Sequence, residues 1–63
     1  DRAHLLEVAR RASGLAQAEL AARSGTSQAT LSAHERGEVT DDQVAGRILE
    51  ATGYDLNLRR RID

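Results

Sequence analysis

Residues 17–37 read QAELAARSGTSQATLSAHERG, and this stretch decides the fold. Its first part, Gln17 to Ser24, is rich in strong helix formers and holds no β-branched residue. Leu20 and Ala21 point inward if Glu19 and Arg23 face water, and those two charges stand at i,i+4 in the favourable order. Gly25 follows where a helix end calls for a residue tolerant of positive φ. Ser27 then offers a hydroxyl as N-cap, Gln28 to Arg36 carries the next helix, and Gly37 closes it. The spacing predicts two short helices set roughly perpendicular about a glycine turn. Ala21, small and four residues before Gly25, lets the second helix approach closely.

Working outward, residues 2–12 predict a first helix with Leu5, Leu6, Val8 and Ala9 apolar and Gly14 as its stop. Leu15 packs from the connection. Thr40-Asp41-Asp42-Gln43 fits a capping box, with carboxylates in the first turn where the helix dipole favours them. Val44, Ile48, Leu49 and Ala51 mark the apolar side of the helix that follows, and Gly53 ends it. After Gly53 the period changes. Tyr54, Leu56, Leu58 and Ile62 alternate with Asp55, Asn57 and Arg59, a strand pattern that Arg60 interrupts. A lone strand leaves both edges unpaired, so the simplest partner is the same strand of a second copy, antiparallel across a two-fold axis.

The segment resembles the Cro/repressor-type (XRE-like) helix–turn–helix family, the class of the lambdoid phage repressors. Gln17, Leu20, Ala21, Gly25, Ser27, Leu31, Ser32, Glu35 and Gly37 carry the resemblance, with Arg10 placed four residues before Gly14. It covers roughly residues 5–53. It implies a mainly α, lambda-repressor-like domain of about four helices. The family usually continues with one more helix, and a strand in its place resembles the HipB/HigA-like antitoxin branch, whose tails pair across a homodimer. Residues 1–53 are thus expected to form the DNA-binding domain, and 54–63 a dimerising strand and tail built on Tyr54, Leu56, Leu58 and Ile62.

In this motif the N-terminal half of the second helix enters the major groove. Gln28 is the leading base reader, because its amide can bond adenine N6 and N7 together. Ala29 and Ala33 suit thymine methyls, and Ser32 suits a base or a phosphate. Gln17, at a helix N-terminus, is placed to hold a phosphate. Thr26, Thr30 and Arg36 are further phosphate candidates, and Ser27 is a cap first and a contact second. By resemblance, Gln17, Gln28 and position 29 carry the main contacts. The resemblance also implies a partly buried Arg10–Glu35 ion pair tying helix 1 to the end of helix 3, a structural role. Arg11 is left for solvent or phosphate. Ala16 stands where Ser or Thr usually caps helix 2, and His34, where a large apolar residue is usual, reads as a packed neutral histidine. Glu38, Asp41 and Asp42 put acids in a loop where relatives place basic or neutral residues. Arg59-Arg60-Arg61 reads as a solvated tail, a phosphate clamp or a contact for an acidic protein.

Composition narrows the function. Sixty-three residues with one Tyr and no Phe, Trp or Met give a single small domain with a Leu/Ile/Val/Ala core. Such a chain buries only about 60% of its unfolded surface, so help from a partner copy is expected. There are no cysteines, and two histidines far apart in sequence do not suggest a metal. No membrane span or signal-peptide pattern appears, which points to the cytoplasm. The chain opens on Asp1 rather than Met, so a longer parent chain is expected. Net charge is −1, yet residues 1–37 carry five arginines against four acids and residues 38–63 four against six. Binding to DNA needs a basic face rather than a basic total, and it should be salt-dependent.

The expected function is a homodimeric, sequence-specific repressor of double-stranded, palindromic DNA. A sharper form is an autoregulating antitoxin with a cognate toxin as partner. The alternative is a protein-interaction module that keeps the helices without binding DNA. With no nucleophile–base arrangement, metal set or phosphate loop, neither an enzyme nor a cofactor is expected.

Overall fold

The computed structural model describes residues 1–61 as four helices: α1 (Arg2–Ser13), α2 (Gln17–Ser24), α3 (Gln28–Glu35) and α4 (Asp42–Thr52). Each helix supplies one fully buried large side chain to a common centre: Leu6, Leu20, Leu31 and Ile48. Ala9, Ala21 and Ala45 are buried beside them, and their small size permits close approach of helices where no aromatic residue fills space. Leu15, Val44, Leu49 and Ala51 pack around the margin. Burial on α4 falls on Ala45, Ile48 and Thr52, one face at helical spacing. α2 packs against α3 and α4, and α1 closes over α3 and α4.

Local chemistry sets the ends. Asp1 caps α1 by accepting from Ala3 N–H at 3.0 Å. Ala16, with no side-chain oxygen, leaves α2 with half a capping box, in which Glu19 Oε1 accepts from Ala16 N–H at 3.1 Å. Glu19 is thereby turned back, and among the described residues it makes no ion pair with the expected Arg23. At the α2–α3 turn Gly25 adopts φ 72°, and Thr26 N–H reaches back to the Ala21 carbonyl at 3.0 Å. This wrap satisfies carbonyls that the end of α2 would otherwise leave open. The α4 cap falls one residue later than the expected Thr40. Asp41 Oδ1 accepts from Gln43 N–H at 3.0 Å and Val44 N–H at 3.2 Å. One carboxylate oxygen serves two amides and adds negative charge at the helix N-terminus, which a threonine hydroxyl does not.

The tail departs from the extended strand expected over 54–62. Among the described residues there is no sheet, only an antiparallel bridge between Tyr54 and Arg60 of the same chain. The segment doubles back through a three-residue loop. Leu58 N–H bonds the Asp55 carbonyl at 2.9 Å, Asp55 N–H bonds the Arg59 carbonyl at 2.9 Å, and Leu58 takes φ 57°. The cause is local: Asp55 Oδ1 accepts from the N–H groups of Asn57 and Arg59, each at 2.9 Å. Such side-chain bonds to nearby backbone compete directly with a ladder. These bonds, chiefly the one from Arg59, also hold the Asp55 carboxyl below its ordinary pKa. Of the expected dimer residues, Tyr54 turns onto α1, its hydroxyl 3.5 Å from the Ala12 carbonyl, while Leu56 is 69% exposed and Leu58 also faces solvent. Ile62 lies outside the described residues.

Candidate nucleic-acid interface

α3 is amphipathic. Leu31 and His34 are buried, Ser27, Gln28, Ala29 and Arg36 are exposed, and Thr30, Ser32 and Ala33 are half-buried at the edge. Helical spacing puts Gln28, Ser32 and Arg36 on one stripe. Ser27 Oγ accepts from Thr30 N–H at 3.1 Å and donates to Thr30 Oγ1 at 2.9 Å, so both residues are engaged in capping the start of the helix. Thr26, half-buried in the turn, lies just before them.

Behind this face sits a polar chain rooted in an ion pair. Arg10 Nε donates to Glu35 Oε2 at 2.6 Å and its second terminal nitrogen donates to Glu35 Oε1 at 3.1 Å, while Arg10 also donates to the Leu15 carbonyl at 3.2 Å. The two side chains are only 13% and 5% exposed. Burial pushes the Glu35 carboxyl up, but the hydrogen bonds from Arg10 and Gln17 and the charges of Arg10 and Arg11 together hold it below its ordinary value. The same hydrogen bond to Glu35, working against burial, raises the Arg10 guanidinium. Gln17 Nε2 donates to Glu35 Oε1 at 3.0 Å, and Gln28 Nε2 approaches Gln17 Oε1 at 3.5 Å, the outer limit of a hydrogen bond. Gln17 therefore spans from the buried pair to the first residue of α3. With one Gln28 Nε2 hydrogen turned to Gln17, the second hydrogen and Oε1 form the donor–acceptor pair that an adenine edge requires.

Two features are not evident from the sequence pattern. Arg36, a phosphate candidate, donates through Nε and one terminal nitrogen to both oxygens of Glu38 at 2.9 and 3.0 Å, and through the other to Ser32 Oγ. These bonds raise the Arg36 guanidinium and lower the Glu38 carboxyl from their ordinary values. Arg47 Nε donates to the Ser24 carbonyl at 3.3 Å, placing a cation at the C-terminus of α2. The charge alternation of Arg36-Gly37-Glu38 is the only hint of the first, and nothing near Arg47 in sequence points to the second.

Other arginines are similarly occupied. Arg11 pairs with Glu7 at 2.8 Å, Arg61 with Glu50 at 3.6 Å, and Arg2 with Asp42. With Arg10 and Arg36, five of the nine arginines sit against carboxylates, which lowers the positive potential that would draw a polyanion. His34 Nδ1 donates to the Thr30 carbonyl at 2.9 Å, and its buried Nε2 has no partner among the described residues. No cluster of potential metal ligands occurs among the described residues, and no helix is long and apolar enough to cross a membrane.

A family model described as Helix-turn-helix matches residues 6–58, from the second turn of α1 through α4 and into the tail. Neither the curated proteins nor the solved structures give a match to this chain.

Proposed function

The chain belongs to the helix–turn–helix family of DNA-binding transcription regulators, and on that footing we propose that it is a homodimeric repressor reading palindromic double-stranded DNA through the first turns of α3. The observation that carries this reading is the one-sidedness of α3. Gln28 and Ala29 are exposed while Leu31 and His34 anchor the helix to the core. Gln28 reads an adenine edge, supported from behind by Gln17 and Glu35. Ala29 and Ala33 contact thymine methyls, Ser32 a base or phosphate, and Gln17, Thr26, Ser27 and Thr30 the backbone. Two copies set their α3 helices about 34 Å apart along the duplex.

Dimerisation through the tail fits the exposure of Leu56 and Leu58 beside Leu5 and Val8 of α1. The left-handed backbone of Leu58 disfavours the closed hairpin by about 1–2 kcal/mol, which eases opening of the tail toward a second copy. A mobility-shift assay against random palindromes at about 50 mM salt tests the reading, where phosphate contacts are strongest. A specific shift lost in Gln28→Ala supports it, and its absence in wild type counts against it.

The sharper role of an autoregulating antitoxin adds a toxin bound at α1, α4 or the tail. Co-expression with the product of the adjacent gene tests it, by a stable complex and relief of toxicity. The competing reading, a protein-interaction module without DNA affinity, draws on the net charge of −1 and the carboxylate-paired arginines. A stable protein complex with no shift on any duplex would favour it.

A further inference from the structure

Arg36, the C-cap of α3, continues the stripe of Gln28 and Ser32, and each of its three guanidinium nitrogens donates one bond to Glu38 or Ser32. A carboxylate met through two parallel N–H bonds offers an arginine the same fork geometry as two phosphate oxygens. The backbone holds Glu38 in place for this. Gly37 turns the chain at φ 75°, and Glu38 N–H is anchored to the Ala33 carbonyl at 3.0 Å, so the carboxylate is presented alongside the end of α3.

We propose that Glu38 sets the affinity of the DNA interface, as an internal phosphate surrogate that a DNA phosphate must displace to take the same two-bond face of Arg36. The proposal rests on the DNA-binding reading above and deepens it. Phosphate contacts are blind to sequence and supply most non-specific affinity. Exchange of the Glu38 carboxylate for a phosphate requires that phosphate to be held in line with the guanidinium. Base contacts by Gln28 fix that register on the correct site. On an arbitrary duplex the protein slides, no phosphate is held there, and the carboxylate keeps the arginine. Displacement costs the operator complex the whole Arg36–Glu38 pair, whereas arbitrary DNA forgoes only a phosphate contact weaker than that pair, so Glu38 lowers affinity for the operator more than for arbitrary DNA.

The test compares wild type, Glu38→Gln, Arg36→Gln and the double variant on two probes. These are a random-sequence duplex and the palindrome that wild type recovers from a random library. Glu38→Gln is expected to tighten the palindrome about five-fold and the random duplex less than about two-fold, the scale set by an exposed ion pair. Its log affinity against log salt on the random duplex should steepen by about 0.9 for each phosphate gained. In the Arg36→Gln background both gains should vanish. Equal tightening with or without Arg36 would overturn the proposal, because Glu38 would then act only as a diffuse negative charge. Unchanged affinity for the palindrome, or a greater gain on the random duplex than on the palindrome, would overturn it too. If no variant binds any duplex, the DNA-binding reading fails and takes this proposal with it; binding without coupling to Arg36 removes this proposal alone.

Discussion

Arg10 and Glu35, 25 residues apart in sequence, meet through two hydrogen bonds of 2.6 and 3.1 Å and join α1 to the last residue of α3. The pair fixes how α3 leaves the helical body. Gln17 extends it toward the face that Gln28 opens. An interaction buried for structural reasons thereby sets the orientation of a side chain proposed to read bases.

Glu35→Ala leaves the Arg10 guanidinium nearly buried without its carboxylate. Breaking one side of such a pair costs about 3 kcal/mol or more. In a domain this small that corresponds to a fall in Tm of more than about 10 °C. Thermal melts followed by circular dichroism check this, and an unchanged Tm would deny the pair a structural role.

The same pair sets an acid dependence. The Glu35 carboxyl is held below its ordinary value of 4.5, so the charged form is favoured by folding. The stabilisation is complete above that value and is lost as pH falls through the lower folded-state pKa. Urea midpoints of wild type should drop with falling pH below 4.5, and those of Glu35→Gln should drop less over the same window. Parallel pH profiles for the two proteins would contradict the assignment.

Asp41→Ala removes the acceptor for two amides at the start of α4 and should cost about 1 kcal/mol. Thr40→Ala should be near neutral, since Thr40 is exposed and makes no capping bond in the structure. Chemical denaturation of the two variants separates them. The reverse order would place the cap at Thr40.

Asp55→Ala deletes the acceptor shared by the Asn57 and Arg59 amides. The tail hairpin should loosen while the helices hold. Amide exchange at Leu58 and Arg61, bonded to the Asp55 and Gly53 carbonyls, should quicken with little change in Tm. Unchanged protection at both amides would mean that the segment is not folded back by Asp55.

The four helices were legible because composition and punctuation agree. Gly14, Gly25 and Gly53 stop runs of helix formers, and Leu6, Leu20 and Ile48, three of the four fully buried large residues, are among those the spacing turns inward, while Leu31 is marked only by the family resemblance. The tail was misread as a strand because Tyr54, Leu56 and Leu58 alternate with polar residues whether the chain runs straight or doubles back. Periodicity is blind to the two bonds that Asp55 makes to its own backbone. The α4 cap was misplaced by one residue because Thr40 and Asp41 are both good caps, and only the fold of the preceding loop chooses between them. At the interface, exposure of Gln28 and Ala29 follows from helical spacing. The capture of Arg36 by Glu38 depends on the Gly37 turn, which no spacing rule resolves.

The most direct measurement is an NMR titration of the isotopically labelled chain with its selected palindromic duplex, followed residue by residue. If α3 enters the groove, the largest amide and side-chain shifts fall on Gln17 and on Thr26 to Ala33, with the Gln28 side-chain amide foremost. Shifts confined to Leu5, Val8, Leu56 and Leu58, with α3 undisturbed, would contradict the assignment of α3 as the DNA-reading helix.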